Sequence, residues 1–269
     1  MLITGYSLAL LMGLTLGLIG GGGSILTVPI LVYFLGVSPV EATAYSLLVV
    51  GLTALVGAWR YHLQGLINIP VALVFAVPSI LGVWLVRAWA LPLMPAVLLQ
   101  TPTFTLTKDA FVMLLFAALM LVVAVFMLKQ KNLQEDGQTD APSPHLNKPL
   151  IALEGLGVGA VTGIVGAGGG FLIVPALVFF AHLPMKQAVA TSLAIIAAKS
   201  LIGFSGDLLA GFTPDPFLTL LFTALTITGM FAGVAFAKNA ADHHLKTAFG
   251  GFVFLLGLAI MADQLYKII

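Results

Sequence analysis

A glycine-rich stretch closed by proline occurs twice in this chain. Gly17-Leu-Ile-Gly-Gly-Gly-Gly-Ser-Ile-Leu-Thr-Val-Pro29 returns 146 residues later as Gly163-Ile-Val-Gly-Ala-Gly-Gly-Gly-Phe-Leu-Ile-Val-Pro175. The echo continues without a gap: Ala42, Ala44, Ser46 and Leu47 match Ala188, Ala190, Ser192 and Leu193, and Gly57 and Gly65 match Gly203 and Gly211. Apolar composition alone does not place glycines and prolines in register. The chain therefore reads as a duplicated unit, each copy carrying a break inside an apolar run. In a membrane transporter that combination marks a substrate site where two repeats meet.

Composition identifies the solvent. Hydrophobic residues make up 60% of the chain and charged residues 8%, against about a quarter charged in a soluble domain. No Asp, Glu, Lys or Arg precedes Glu41, and residues 155–185, 187–198, 216–237 and 247–262 carry none. About 20 apolar residues are what a helix needs to cross ~30 Å of hydrocarbon. The expectation is an all-α integral membrane protein in contact with the lipid bilayer, multi-pass in a bacterial inner membrane. A net charge of +1 without any basic cluster points away from a nucleic-acid partner. The start, Met1-Leu-Ile-Thr-Gly-Tyr-Ser, lacks the basic region of a cleavable signal.

Each half reads as a broken glycine-motif element, 3–36 and 150–182, followed by three continuous spans: 40–63, 68–90 and 108–128, then 185–208, 215–238 and 245–266. The domain expectation is a first transmembrane repeat over 1–128, a polar linker over 129–148 and a second repeat over 149–269. The linker is rich in Gln, Asp, Asn and Pro, a composition that forms no packed core. Thirty-four helical residues would reach about 51 Å, so the broken element either crosses with a kink or turns back as a hairpin. If it turns back, Arg60, Lys129, Lys131, Lys148, Lys186, Lys238 and Lys246 share one side, leaving Arg87, Lys108 and Lys267 opposite. The positive-inside rule prefers that division to an even one, which favours inverted repeats with a cytoplasmic linker.

Glycine costs about 1 kcal/mol relative to alanine at each helical position, so residues 20–24 resist a regular helix. Bare backbone at membrane depth is tolerated where it is buried in protein or lines a polar cavity. A helix that restarts there aims free N–H groups at its surroundings, an arrangement suited to an anion. The candidate substrate-binding residues are Gly20, Gly22, Gly23 and Ser24 with Ser46 in the first half, and Gly166, Gly168, Gly169 and Gly170 with Thr191, Ser192 and Lys199 in the second. Against this stands close helix packing, for which Gly13, Gly17 and Gly21 have the right spacing. Intramembrane hydroxyls usually bond back to their own helix, and Lys199 has the alternative of pairing with Asp207 two turns on. A dinucleotide fingerprint fails on spacing and context. The chain has no cysteine, its five histidines lack ligand spacing, and no nucleophile–base set can be assembled. The reading expects no metal, no cofactor and no catalytic residue; homo-oligomerisation stays open.

These residues resemble the TauE/SafE family of sulfite and organosulfonate exporters, in which each of two homologous halves opens with a glycine-rich motif followed by proline, as at 20–29 and 166–175. The string Ala190-Thr-Ser-Leu193 and its weaker copy Ala42-Thr-Ala-Tyr-Ser-Leu47 are similar to that family too. The resemblance implies a secondary transporter that exports a small anion such as sulfite or an organosulfonate by alternating access. The halves differ where Ser24 stands for Gly170 and Thr53 for Lys199, so the expected site is asymmetric. The contrasting expectation is a non-transporting membrane subunit whose glycine motifs serve assembly.

Overall fold

The computed structural model describes residues 2–101, 104–129, 148–166, 169–179, 181, 183–237 and 242–268. Eleven helices and one short hairpin follow along them: α1 (Leu2–Ile19), α2 (Thr27–Pro29), α3 (Pro39–His62), α4 (Ile69–Leu85), α5 (Leu91–Leu93), β1 (Val97–Gln100), β2 (Thr105–Thr107), α6 (Lys108–Lys129), α7 (Lys148–Val165), α8 (Gly170–Phe179), α9 (Met185–Leu209), α10 (Pro216–Ala237) and α11 (Asp242–Ile268). A 3₁₀ turn (Gly20–Leu26) precedes α2, and π-helical turns follow α2 (Ile30–Phe34) and α4 (Val86–Ala90). Among the described residues, five helical stretches are long and apolar enough to cross a membrane: Pro39–His62, Ile69–Leu93, Lys108–Val125, Lys186–Leu209 and Pro216–Phe236. Each coincides with an expected span. The linker expected over 129–148 lies, apart from its two ends, outside the described residues.

Helix starts follow the prolines. The Ser38 hydroxyl accepts from the Glu41 amide ahead of Pro39, and the Asn68 carboxamide accepts from the Val71 amide ahead of Pro70. The Asp215 carboxylate caps α10, accepting from Phe217 at 2.7 Å with Pro216 at the first helical position. These caps satisfy amides that have no intrahelical acceptor.

Two compact units emerge, each drawing on both halves of the sequence. The larger combines Met1–Leu93 with Leu146–Lys238, and the smaller combines Met94–His145 with Asn239–Ile269. In the smaller unit α6 packs on α11, where Gly257 lets Met120 and Leu121 approach. The antiparallel β1–β2 hairpin leads directly into α6, with the Thr107 hydroxyl accepting from the Ala110 amide. This hairpin is an addition to the all-helical expectation.

The larger unit is built from reciprocal pairs: α1 lies on α10, α7 on α4, and α3 on α9. Exchanging the halves maps this set onto itself. Glycines make the first two seams. Gly13 and Gly17 meet the α10 backbone at Thr226 and Met230, while Gly155 and Gly159 meet the α4 backbone at Phe75 and Ser79. Close backbone approach of this kind is what small residues provide between membrane helices. The α3–α9 pair runs antiparallel, since Gly51 faces Leu201 and Gly57 faces Leu193.

Local conformations also recur at the 146-residue offset. Gly20 and Gly166 take positive φ of 72° and 69°, and Gly65 and Gly211 take 67° and 90°. The Leu66 amide bonds the Tyr61 carbonyl as the Phe212 amide bonds that of Asp207, a Schellman ending for α3 and α9. The Val37 amide bonds the Leu31 carbonyl, and the Leu183 amide that of Leu177.

Candidate functional site

The first broken element folds back on itself. Gly23 lies against Leu16, the Thr27 hydroxyl reaches Met12 Sδ at 3.6 Å, and Gly5 lies against Phe34 and Leu35. Residues 20–35 therefore run antiparallel to α1, and the reversal is made at Gly20, whose left-handed φ no side chain adopts cheaply. The corresponding break in the second half lies between two helices. α7 ends at Val165, Gly166 and Gly169 take positive φ, and α8 begins at Gly170.

The two breaks meet. A side chain on Gly21 would fall on the backbone of Gly170, and one on Gly170 would fall on Gly21 and Ile196. Each break also leans on the second span of the opposite half: Gly20 lies against Val189 in the first turns of α9, and Gly166 against Thr43 in those of α3. Thr43 and Val189 are themselves 146 residues apart. The α8 helix starts with the Gly169 carbonyl accepting from Leu172 and Ile173 at 3.0 and 3.1 Å. The amides of Gly170 and Phe171 thus precede its first internal bond, at the positive end of the helix dipole.

Lys199 reaches this second break. It is fully buried in the middle of α9, and its Nζ donates to the Thr162 hydroxyl at 2.8 Å. A side chain on Gly169 would meet both Lys199 Nζ and Thr162. Among the described residues no carboxylate lies within ion-pair distance of the amine. The pairing with Asp207 weighed from sequence is not formed, because Asp207 binds Arg87 at 3.0 Å. At the offset position in α3, Thr53 bonds the Thr226 hydroxyl at 2.9 Å instead. The two halves thus place different chemistry at matching positions.

The hydroxyls divide by partner. Ser24 donates to the Gly21 carbonyl and Ser192 to that of Val189, each within its own turn. Thr191 accepts from the Asn68 amide at 3.0 Å and so ties α9 to the start of α4. Tyr45 does the same for α10, its hydroxyl accepting from the Asp215 amide at 2.7 Å. Among the described residues, Ser46 is buried without a hydrogen-bond partner, one turn along α3 from Thr43 and so on the face that meets Gly166. Gly22 belongs to the 3₁₀ turn of the first break, and Gly168 lies outside the described residues. The structure therefore gathers Gly20, Gly166, Gly169, Gly170 and Lys199 with Gly21 around the touching breaks. It turns Gly23 toward α1 and Thr191 toward α4.

Sequence reasoning passed over Thr162, Arg87 and Asp207 as a set. Thr162 stands four residues before Gly166 in a glycine-rich apolar helix, a spacing that puts it on the face of the break. Arg87 lies inside an apolar span, which was the available signal that it is buried. Among the described residues, no group of three or more His, Asp or Glu could hold a metal ion.

The chain is similar to known membrane proteins. The profile of the sulfite exporter TauE/SafE family matches residues 6–260. A "Probable membrane transporter protein" of Xylella fastidiosa (strain Temecula1) is 29% identical over 263 residues, covering 93% of this chain and 91% of its own. The "Probable membrane transporter protein YunE" of Bacillus subtilis is 30% identical over 221 residues, covering 76% and 77%. YdhB of the same organism, also named a probable membrane transporter protein, is 26% identical over 242 residues, covering 88% and 91%. No solved structure matches the chain.

Proposed function

This chain belongs to the sulfite exporter TauE/SafE family, and on that premise we propose that it exports a small oxyanion, sulfite or an organosulfonate, across a bacterial inner membrane. The observation that carries the anion reading is Lys199: a fully buried amine whose described partner is one neutral hydroxyl, beside the glycine break that opens α8. A buried ammonium needs a counter-charge. A bound anion supplies it, with the first amides of α8 as further donors and the unpartnered Ser46 hydroxyl within the same neighbourhood.

Alternating access is the mechanism we propose, and the reciprocal pairing of the halves supports it. The proposed repeats are inverted, related by a pseudo-twofold axis in the membrane plane. The antiparallel run of the corresponding helices α3 and α9 supports this, as does the folding back of residues 20–35 along α1. Each broken element is then a re-entrant hairpin, and the site lies where the two hairpin tips touch. Motion of one repeat against the other exposes that site to one side at a time.

A liposome flux assay with sulfite, methanesulfonate, thiosulfate and acetate tests the function. Saturable flux of an oxyanion, lost on removal of the Lys199 charge, is the expected result. Protein that inserts and stays monodisperse but moves none of the four would identify a non-transporting subunit, in which the glycine seams of α1–α10 and α4–α7 serve assembly alone.

A further inference from the structure

The ion pair at the far end of α9 leaves much of its hydrogen-bonding capacity unused. Arg87 is fully buried on the π-helical turn after α4, and Asp207 is nearly so on α9. Arg87 Nη1 donates to Asp207 Oδ1 at 3.0 Å. Among the described residues, Arg87 Nε and Nη2 are buried without a partner, as is Asp207 Oδ2. The Nε–H and Nη2–H groups form one edge of the guanidinium, two near-parallel donors that grip an oxyanion by two oxygens. A pair serving only to staple two helices gains most by presenting that edge to the carboxylate, whose second oxygen is free here.

The pair shares a wall with Lys199. Eight residues separate Lys199 from Asp207 on α9, about 12 Å of rise. Between them, Gly203 admits Val83 and Gly206 admits the Arg87 Cβ. Thr162, the partner of Lys199, precedes Gly163, which lies against Val86 beside Arg87. The positions that correspond across the 146-residue offset carry none of these charges. Thr53 and Tyr61 stand at the positions of Lys199 and Asp207, Gly233 stands at that of Arg87, and the Tyr61 hydroxyl donates to the Gly17 carbonyl at 3.5 Å.

We propose that the Nε/Nη2 edge of Arg87 is a second oxyanion station on the transport path, taking a sulfonate, sulfite or carboxylate group from Lys199. Asp207 holds Nη1 throughout, offsets the buried guanidinium when the station is empty, and repels a bound anion enough to release it. The proposal rests on the transporter reading above.

The test uses full-length protein with methanesulfonate and sulfite as probes, reading flux in proteoliposomes and thermal unfolding in detergent. Arg87→Lys keeps the charge and the contact with Asp207 but removes the two-donor edge. Flux of both probes should fall about tenfold, the factor that follows from losing one such contact worth ~1.4 kcal/mol, while the unfolding temperature stays near that of the wild type. Asp207→Asn should unfold at lower temperature without oxyanion, gain more stability from methanesulfonate than the wild type does, and release the probe more slowly. Wild-type flux in Arg87→Lys would overturn the station, and so would an Asp207→Asn protein that methanesulfonate stabilises no more than it does the wild type. If Arg87→Lys fails to fold, the Asp207→Asn comparison decides alone. A wild type that neither moves nor is stabilised by either probe would instead sink the transporter reading, a separate result.

Discussion

Gly21 and Gly170 lie backbone against backbone, with no side chain between them. One comes from a 3₁₀ turn in the first half and the other opens α8 in the second. The contact explains why both breaks are glycine: neither can carry a Cβ without moving the other. It also brings the positive end of the α8 dipole, the Lys199 amine and the reversal of the first element into one small region. In the proposed transporter, an anion held by Lys199 and the first amides of α8 would rest against the Gly20–Gly21 backbone of the other half.

Gly21→Ala should therefore cost about 1–3 kcal/mol of stability, the usual range for overpacking a tight contact, and reduce flux more than stability accounts for. Gly65→Ala is the matched control. Its position has a φ of 67° and nothing within 4 Å of an added Cβ, so only backbone strain of roughly 1–2 kcal/mol applies. Thermal unfolding and flux on the same preparations check both. Equal flux in the two variants would remove Gly21 from the moving contact.

Spans and breaks were legible in the sequence because each rests on local chemistry. Proline marks the starts of α3, α4 and α10, charge-free runs mark their lengths, and glycine density marks the reversals. The site was legible in part. That Gly20 and Gly166 sit at turns follows from residue type, but that Gly21 meets Gly170 depends on packing between halves. Lys199 stood out as a charge in an apolar run, whereas Thr162 as its partner did not. The Arg87–Asp207 pair spans 120 residues, and no helical spacing announces it. The same holds for Thr191, a substrate-site candidate from sequence whose hydroxyl is engaged by the Asn68 amide in the fold. The β1–β2 hairpin escaped because strands of four and three residues are too short to show a period of two.

Lys199→Met keeps side-chain length and removes the charge. An ammonium and an anion about 4 Å apart attract by about 4 kcal/mol at an effective dielectric of 20, before desolvation. A surplus of ~1.4 kcal/mol over that cost is enough for a tenfold effect. Anion affinity should fall about tenfold or more by isothermal titration or flux KM. Lys199→Arg should retain part of it, because the charge stays although the shape differs. Unchanged affinity in Lys199→Met would leave Lys199 a structural partner of Thr162.

Tyr45→Phe and Thr191→Val remove the two hydroxyls that accept from the Asp215 and Asn68 amides, at 2.7 and 3.0 Å. Each should cost about 0.5–1.5 kcal/mol, the net worth of one hydrogen bond, and leave anion affinity unchanged. The measurement is thermal unfolding alongside probe binding. A Thr191→Val protein of normal stability with weakened binding would return Thr191 to the substrate site, as the sequence reading had it.

The orientation of the repeats is open to a direct experiment, because the chain has no cysteine. Single cysteines at Gln64 and Thr213 follow α3 and α9, helices that correspond between the halves, and both positions are exposed. If each broken element turns back before α3 and α9, the number of crossings between these positions is odd, and they face opposite sides. If each broken element crosses, the number is even, and they face the same side. In right-side-out vesicles a membrane-impermeant maleimide should label Thr213→Cys. Gln64→Cys should react only after the membrane is opened, together with a cysteine placed in the 130–147 linker. This pattern would put the linker and Arg60 on the cytoplasmic side, the orientation that the distribution of Lys and Arg favours. Labelling of Gln64→Cys and Thr213→Cys from the same side would make the repeats parallel, and the two glycine breaks would then need a different symmetry to meet.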